Sequence, residues 1–241
     1  MAKVTVIVPR GGSCPYRERA WQYLRTLWAR HYPDMEVVEG WCHGDVWCKA
    51  EAVADALPRA RGDILVVADA DVWVPGVAAA VDQLKRHAWA VPHRLVYRLT
   101  EEASRPDRIE REGWRGDTVE TPYLGTEGGG MVVLPRDLYV DAPLDPRFRG
   151  WGQEDEAWAL ALRTIGGPPW RGTAPLYHLW HPPQARLSRR FGSSESIALF
   201  DLYRVAAGHR EAMDQVLAEP RAAAQMARIG ARTRSSYVVA R

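Results

Sequence analysis

Hydrophobic positions in the first part of the chain follow two alternating spacings. Short, mostly apolar segments that predict strands occupy residues 4–8, 35–38 and 64–68, and the last of them is a continuous apolar run typical of a buried strand. Between and after them, apolar residues recur every three to four positions over residues 17–31, 49–57 and 77–86, which predicts amphipathic helices. Strands that alternate with helices predict a parallel sheet covered by helices, and therefore an α/β protein.

The pattern changes in the second half of the chain. Residues 100–125 are polar and charge-rich, so we expect a long loop or small insertion there, an element of the kind that carries function. Further elements are predicted after it: strands over 131–134 and 176–180, and helices over 154–164 and 194–217. We expect one domain over residues 1–220 and a basic tail over 221–241 that contains five arginines and no acid.

Composition and charge are those of an ordinary globular protein. The 241 residues are enough for one sizeable core, and 46% of them are apolar while 26% are charged. A net charge of +2 does not by itself indicate a nucleic-acid-binding protein. Most of the 11 tryptophans are expected in the core or at interfaces.

Cysteine usage and apolar segment lengths predict a cytoplasmic protein. Cys14, Cys42 and Cys48 are odd in number and have no metal-ligand spacing, so we expect reduced thiols. No segment approaches the apolar length of a membrane span, and the first apolar run is too short for a signal peptide. We therefore expect an intracellular protein of bacterial or phage type.

An acidic couplet, Asp69-Ala70-Asp71, follows the apolar run 64–68. A buried strand that ends in two carboxylates places them at the carboxyl edge of a sheet, where open α/β sheets bind ligands. Aspartate oxygens suit Mg²⁺ or Mn²⁺ held together with phosphates, which indicates a metal carrying a nucleoside diphosphate. The alternative is two solvated loop acids or a turn cap.

A second acidic segment, residues 150–156, reads Gly-Trp-Gly-Gln-Glu-Asp-Glu. Three acids at the start of a helix are explained by the helix dipole alone. The dipole does not explain Trp151, which stands between two glycines and whose face can stack on a sugar ring. A carboxylate beside that tryptophan can take a proton from an acceptor hydroxyl.

His178 and His181 follow the last predicted strand. Two histidines three residues apart can reach one metal ion if the chain turns there, and imidazole is a good ligand for Mn²⁺ or Zn²⁺. The alternative is one buried and one exposed histidine, and this is the better interpretation when the pair is taken alone.

Several cations and a glycine run complete the set of candidates. Arg10, Arg17, Arg19 and Lys49 are either solvated or bind a phosphate or a base. The run 128–130 of three glycines is compatible with a bulge or turn, and also with close approach of the backbone to a ligand.

Taken in order, these segments resemble the motifs of glycosyltransferases with the GT-A fold. The resemblance covers residues 4–183 and is greatest to the family 2 enzymes and to the carboxyl-terminal region of beta-1,4-galactosyltransferases. The matching segments are Val6-Ile7-Val8-Pro9-Arg10, Trp47-Cys48-Lys49-Ala50, Asp69-Ala70-Asp71, Glu127-Gly128-Gly129-Gly130-Met131, Gly150-Trp151-Gly152-Gln153-Glu154-Asp155 and His178-Leu179-Trp180-His181.

The resemblance implies a GT-A fold, with a mostly parallel, Rossmann-like sheet between helices and a helical C-terminal segment. It also implies an enzyme, a metal-dependent inverting glycosyltransferase. Such an enzyme moves a sugar from a nucleoside-diphosphate donor, here preferably a UDP-sugar, to an acceptor hydroxyl. The acceptor class (glycan, protein, small molecule or modified DNA base) is not indicated by the sequence.

The resemblance also assigns roles to individual residues. It implies that Asp71, His178 and His181 bind Mn²⁺ or Mg²⁺ and that Asp155 is the catalytic base. The residues implied at the nucleotide and donor sugar are Pro9, Arg10, Arg17, Lys49, Asp69, Ala70, Gly129 and Gly130, and those implied at the acceptor are Trp151, Gly152 and Glu154. Two positions depart from the family: Lys49 replaces the usual arginine, and Gln153 replaces a glycine.

Two other functions compete with this interpretation. A nucleotidyltransferase also uses paired acids and Mg²⁺ at a sheet edge, but it normally has a glycine-rich phosphate loop after the first strand, of which Gly11-Gly12 is a faint version. A non-catalytic sugar- or nucleic-acid-binding module fits the tryptophans and the basic tail. Such a module has no need for the acidic couplet, Asp155 and both histidines in one chain.

Overall fold

The computed structural model describes residues 2–183 and 192–225. Within them the strands are β1 (Val4–Gly11), β2 (Glu36–Cys42), β3 (Ile64–Ala68), β4 (Val72–Trp73), β5 (Ala90–Arg98), β6 (Tyr123–Leu124), β7 (Met131–Pro135) and β8 (Trp170–His178). The helices are α1 (Pro15–His31), α2 (Lys49–Ala56), α3 (Val77–Gln83), α4 (Pro106–Glu112), α5 (Arg136–Asp141), α6 (Glu154–Gly166), α7 (Ser194–Ala206) and α8 (Arg210–Val216). A further helical stretch covers 218–225, and the rest of the predicted basic tail lies outside the described residues.

The strands form one mixed sheet in the order β2-β1-β3-β7-β5-β8-β4, with β6 paired to β5. β1 runs parallel to β2 and β3, and β5 runs parallel to β8. β7 is antiparallel to its neighbours β3 and β5, and β4 and β6 are also antiparallel to their partners. Most strands of the described sheet therefore point one way, and the expected α/β fold with a helix-flanked sheet is confirmed.

Side chains of the central strands alternate between two hydrophobic layers, one on each face of the sheet. Val6 and Val66 pack against α1 and α3, whereas Ile7 and Leu65 pack into the layer formed by α2, α5, α6, α7 and α8. With both faces covered, β1 and β3 are buried along most of their length, which explains why both strands are mostly apolar.

Several elements differ from the sequence predictions. The apolar pattern misses β5 because Pro92, His93 and Arg94 interrupt its run. β8 begins at Trp170, upstream of the predicted strand over 176–180, and ends at His178. The predicted helix over 194–217 is two helices, α7 and α8, separated at Gly208, whose φ of 79° is in the left-handed region.

The polar segment 100–125 is an ordered insertion that contains α4 and β6. Trp114 stacks on Tyr177 of β8, with ring centroids 4.9 Å apart, and this contact holds the insertion against the sheet. Glu120 and Tyr123 follow this anchor and reach the cleft described below.

The three cysteines are unpaired, and Cys42 and Cys48 are buried. Burial raises the pKa of the Cys48 thiol to about 11. Among the described residues, no helix is both long and apolar enough to cross a membrane.

Candidate functional site

The candidate site lies at the edge of the sheet where β1, β3 and β8 end. Strand register pairs Ala68 with Met131 and Val72 with His178, and the Asp69 N–H donates to the carbonyl of Gly130 at 2.9 Å. The acidic couplet therefore lies between the glycine run that precedes β7 and the histidine that ends β8.

A cleft of about 870 Å³ opens at this edge, a volume typical of ligand sites. Every residue that the sequence nominates for the metal, the donor, the acceptor or the base lines this cleft. Arg19, the remaining candidate cation, is not among the lining residues. Its guanidinium lies over the ring of Tyr16, 4.7 Å from the ring centroid.

Asp71, His178 and His181 form a cluster whose ligand atoms lie within 4.8 Å of one another. Nε2 of His178 is 3.9 Å from Oδ1 of Asp71, and Nε2 of His181 is 3.5 Å from Oδ2. The two histidine side chains are only 22% and 8% exposed, so neither projects freely into solvent. One carboxylate and two imidazoles suit a divalent transition-metal ion.

Hydrogen bonds determine which nitrogen of His181 carries the proton. Nδ1 lies 2.8 Å from the Pro182 carbonyl and must donate to it, because the carbonyl can only accept. Nη2 of Arg17 donates to Nε2 of the same ring at 3.2 Å, so Nε2 carries a lone pair. Burial lowers the pKa of His181, although Asp71 raises it, and the ring is held in this neutral form. A hydrogen bond from the other ring nitrogen to a backbone carbonyl is typical of metal-ligating histidines.

Asp71 is a buried anion within the cluster. Nε of Arg17 donates to its Oδ2 at 3.1 Å. Burial raises the pKa of Asp71, but His178 and the guanidinium of Arg17 outweigh burial and hold that pKa below its usual value. The cluster therefore presents a negative charge, and Arg17 is the cation that faces it.

Lys49 connects the acidic couplet to the acidic helix start. Its Nζ lies 2.8 Å from Oδ1 of Asp69 and 2.8 Å from Oδ1 of Asp155. Burial lowers the pKa of Lys49, but the two carboxylates outweigh it, so the pKa is raised and the side chain is an ammonium. Sequence reasoning nominates all three residues but does not predict this contact.

Glu154 and Asp155, in the first turn of α6, both have raised pKa values. Burial raises the pKa of Asp155 despite the opposing effect of Lys49. Burial and, after it, the charge of Asp155 raise the pKa of Glu154 to about 7. A helix N-terminus normally favours ionised acids, so a capped helix start does not account for these values. Carboxyl groups with raised pKa values are suited to proton transfer.

Each glycine of the run 128–130 meets a different neighbour. A Cβ on Gly128 would lie 1.9 Å from the carbonyl oxygen of Asp155. A Cβ on Gly130, whose own φ is +70°, would lie 2.3 Å from Leu176. A Cβ on Gly129 would lie 3.0 Å from Oδ2 of Asp155. Close approach to α6 and β8 thus explains the outer glycines, and the missing side chain of Gly129 lets the backbone lie close to the Asp155 carboxylate.

The backbone before α6 turns through three residues with positive φ: Gly150 (82°), Gly152 (127°) and Gln153 (63°). Gln153 is the one non-glycine residue with positive φ among those described, which explains why glycine is usual at this position in the resembling family. Trp151, carried by this turn, is 41% exposed and lines the cleft.

Arg10 lies in a different setting from Arg17. Its guanidinium is bonded to Glu18 and, at 3.0 Å, to Glu39, and it lies 5.1 Å from the ring centroid of Trp41. With 7% exposure, Arg10 stabilises the wall of the cleft and has little surface left for a ligand.

Sequence reasoning misses several residues that line the cleft, among them His93, Tyr123 and Thr126. His93 lies on the unpredicted strand β5 and is 1% exposed. Burial, reinforced by Arg171, lowers the pKa of His93 to about 3, so the ring is neutral. No pattern in the sequence marks these residues, because β5 and β6 were not expected.

Comparison by sequence finds no matching family model and no matching curated protein. Comparison by structure finds matches across most of the chain. Staphylococcus aureus TarS in complex with UDP-GlcNAc matches with a TM-score of 0.52 at 14% identity, over 90% of this chain and 71% of that chain. GalNAc-T7 with UDP, GalNAc and Mn²⁺ matches with a TM-score of 0.51 at 11% identity, over 91% of this chain and 55% of that chain.

Glucosyl-3-phosphoglycerate synthase from Mycobacterium tuberculosis, in complex with Mn²⁺, UDP-glucose and phosphoglyceric acid, matches with a TM-score of 0.50 at 16% identity, over 86% of this chain and 80% of that chain. The chain has a GT-A-type fold. It spans little more than half the length of the GalNAc-T7 structure. At these identities the likeness establishes the fold.

Proposed function

We propose that this chain is a metal-dependent glycosyltransferase that moves a sugar, with inversion, from a nucleoside-diphosphate donor to an acceptor hydroxyl. The observation that supports it best is the presence of the Asp71, His178 and His181 cluster and of Asp155 in one cleft of a GT-A fold. Sugar transfer from a diphosphate requires a cation for the leaving group and a base for the acceptor, and the cleft offers residues for both.

The cluster fits Mn²⁺, with Mg²⁺ as the less suitable ion because Mg²⁺ prefers oxygen ligands. Asp71 would supply a carboxylate oxygen, while His178 and His181 would supply imidazole nitrogens. Structures of GalNAc-T7 and of glucosyl-3-phosphoglycerate synthase contain Mn²⁺. The metal, when bound, supplies Lewis-acid stabilisation of the negative charge on the departing diphosphate.

The donor is assigned to the wall between the end of β1 and the glycine run. Of the two arginines that the sequence leaves as equal candidates, Arg17 is the better placed for the diphosphate, because it faces the cluster and is 29% exposed. Arg10, bonded to two carboxylates, shapes the nucleotide wall with Pro9. A UDP-sugar is the preferred donor, as in the TarS and glucosyl-3-phosphoglycerate synthase structures.

The donor sugar is assigned to the space beside Ala70, Gly129 and Gly130, and the acceptor to the α6 side of the cleft. Asp155 would remove the proton of the acceptor hydroxyl, which then attacks the anomeric carbon from the face opposite the diphosphate. Glu154 would accept a hydrogen bond from the acceptor, and Trp151 beside Gly152 would stack on it. We propose that the chain shares this arrangement of base and acceptor-binding residues with beta-1,4-galactosyltransferases.

The end of β1 offers an observation against the nucleotidyltransferase alternative. A Cβ on Gly11 would lie 2.7 Å from the ring of Trp47, so this glycine is required for packing against the tryptophan. A phosphate-binding role is therefore not needed to explain it.

Calorimetric titration with Mn²⁺ and a panel of UDP- and GDP-sugars tests the donor, and incubation with glycan, peptide, small-molecule and DNA acceptors tests the transfer. We expect release of nucleoside diphosphate and, from an α-linked donor, a β-linked product seen by NMR. Release of pyrophosphate would contradict the proposal and identify a nucleotidyltransferase, whereas an α-linked product would contradict inversion.

A further inference from the structure

Lys49 is a buried cation between the two acidic parts of the cleft. It opens α2, with a side chain that is 5% exposed, and its Nζ lies 2.8 Å from Oδ1 of both Asp69 and Asp155. Asp69 follows β3, and Asp155 lies in the first turn of α6. One ammonium therefore joins the donor side of the cleft to the proposed base.

These ion pairs leave little of the ammonium for a nucleotide. A lysine has three N–H donors, and two of them are directed at carboxylates here. The third N–H belongs to a side chain that is only 5% exposed, and a nucleotide contact that displaced Asp69 or Asp155 would leave that carboxylate without its cation, which is costly. Arg17 is more accessible than Lys49, with 29% of its side chain exposed at the cluster.

Lys49 also determines which oxygen of Asp155 faces the reactants. It holds Oδ1, and the other oxygen, Oδ2, faces Gly129, where a Cβ would lie only 3.0 Å from it. The terminal torsion of an aspartate is broad, so a carboxylate without a fixed partner samples many orientations. A base must lie within hydrogen-bond reach of its proton to act, and the Lys49 contact supplies that orientation.

The charged groups facing Asp155 come from three elements. They are Lys49 from α2, Asp69 from the end of β3, and Glu154 and Glu156 from α6. The loop over 125–130 contributes neutral groups at Gly129. Loss of the ammonium would leave Asp155 facing acids, which favour its protonated form and remove its function as a base.

We infer that Lys49 is a positioning residue: it orients Asp155 through Oδ1, keeps it ionised and ties it to Asp69, and it does not bind the nucleotide. This inference rests on the proposed function of Asp155 as the base. It reassigns the position at which the resembling family usually has a nucleotide-binding arginine.

The test compares Lys49→Met, Lys49→Arg and, as a matched control, Lys85→Met at an exposed lysine paired with Asp82. UDP affinity is measured by calorimetry with Mn²⁺ and no acceptor, and kcat is measured at saturating donor from pH 5 to 9. We expect Lys49→Met to lower kcat about 100-fold while the Kd for UDP stays within about threefold. The acid limb of the pH–kcat profile of Lys49→Met should move to higher pH, and Lys49→Arg should restore part of kcat. Lys85→Met should match the parent.

A double-mutant cycle shows whether Lys49 acts through Asp155. In an Asp155→Asn background, Lys49→Met should cause no further loss of kcat, whereas an independent nucleotide contact would remain additive. If Lys49→Met does not fold, Lys49→Arg tests the inference alone. Its kcat and the acid limb of its pH–kcat profile should change together, while its affinity for UDP stays at the parental value.

A tenfold weaker UDP affinity with an unchanged kcat and pH profile in either variant would overturn the inference and restore a nucleotide contact. The parent protein separates this result from a failure of the proposed function. If the parent transfers no sugar from any donor in the panel, the proposed function is wrong, and the role of Lys49 in transfer is overturned with it.

Discussion

Arg17 donates from Nη2 to Nε2 of His181 at 3.2 Å, and from Nε to Oδ2 of Asp71 at 3.1 Å. An unprotonated imidazole nitrogen has one lone pair, so Nε2 of His181 cannot accept this hydrogen bond and bind a metal ion at the same time. Metal binding by His181 therefore requires Arg17 to move, and the same movement would free its guanidinium for a diphosphate.

Removal of this competing cation should strengthen metal binding. We expect Arg17→Met to bind Mn²⁺ about three- to tenfold more tightly than the parent in the absence of nucleotide, because a hydrogen bond and a charge repulsion are lost. Electron paramagnetic resonance of free Mn²⁺ measures this affinity. Arg19→Met, at a neighbouring arginine outside the cleft, serves as the control and should leave the affinity unchanged. Equal or weaker binding by Arg17→Met would show that Arg17 supports the metal site.

The glycine run offers a pair of neighbouring variants with opposite expected effects. In Gly128→Ala the methyl group would lie 1.9 Å from the Asp155 carbonyl, a backbone atom of α6 that cannot easily move, so we expect a loss of about 2–3 kcal/mol in stability. In Gly129→Ala it would lie 2.6 Å from Oγ1 of Thr126 and 3.0 Å from Oδ2 of Asp155, both ends of side chains.

We therefore expect Gly129→Ala to fold with a smaller loss of stability and to lose sugar transfer about tenfold or more, since its methyl group occupies the space before the base. Chemical denaturation and kcat distinguish the two variants. Full transfer activity in Gly129→Ala would show that this space is not used by the reactants.

The raised pKa of Glu154 predicts that the stability of the fold depends on pH. Its pKa of about 7 in the folded protein lies above the ordinary value of 4.5, mainly because of burial, so the folded chain keeps a proton that the unfolded chain releases. Stability should therefore fall as the pH rises from 4.5 to 7 and stay lower above that range.

Glu154→Gln keeps an oxygen for the hydrogen bond that Glu154 accepts from the Gly152 N–H at 3.1 Å, and it removes the charge. We expect it to be more stable than the parent by about 1–2 kcal/mol at pH 8, with the difference vanishing near pH 4.5. Thermal unfolding at the two pH values measures this. The matched control is Glu156→Gln, an exposed acid in the same helical turn, which should show no such difference. A parent that is as stable at pH 8 as Glu154→Gln would contradict the raised pKa.

Local sequence patterns predict the elements that carry the site. Buried β1 and β3 both begin with mostly apolar segments, and the residues that follow β3, from Asp69 to Asp71, are correctly placed at the carboxyl edge of the sheet. β5 escapes prediction because Pro92 and two polar residues interrupt its apolar run, and one of them, His93, is nonetheless buried in the fold. Tertiary context overrides the local pattern at that strand.

Pairing between distant residues is what the sequence does not predict. Lys49 and Asp155 are separated by 106 positions, and they meet where the residues before α2 contact the turn before α6, as the Gly150 N–H donates to the Trp47 carbonyl at 2.8 Å. Arg17 and His181 are separated by 164 positions, and their contact depends on the register of β4 with β8. Residue types at the site follow from motifs, whereas their charge partners follow from the fold.

Sugar transfer by this chain is proposed to depend on a metal ion bound by the Asp71 cluster. The most direct test measures how nucleoside-diphosphate release from the donor depends on Mn²⁺, in the parent and in Asp71→Asn. The parent should release nucleoside diphosphate together with glycosylated acceptor only when Mn²⁺ is present, and Asp71→Asn should lower this rate by about 100-fold or more. A rate that is independent of Mn²⁺, or an Asp71→Asn variant that works at the parental rate, would contradict the assignment.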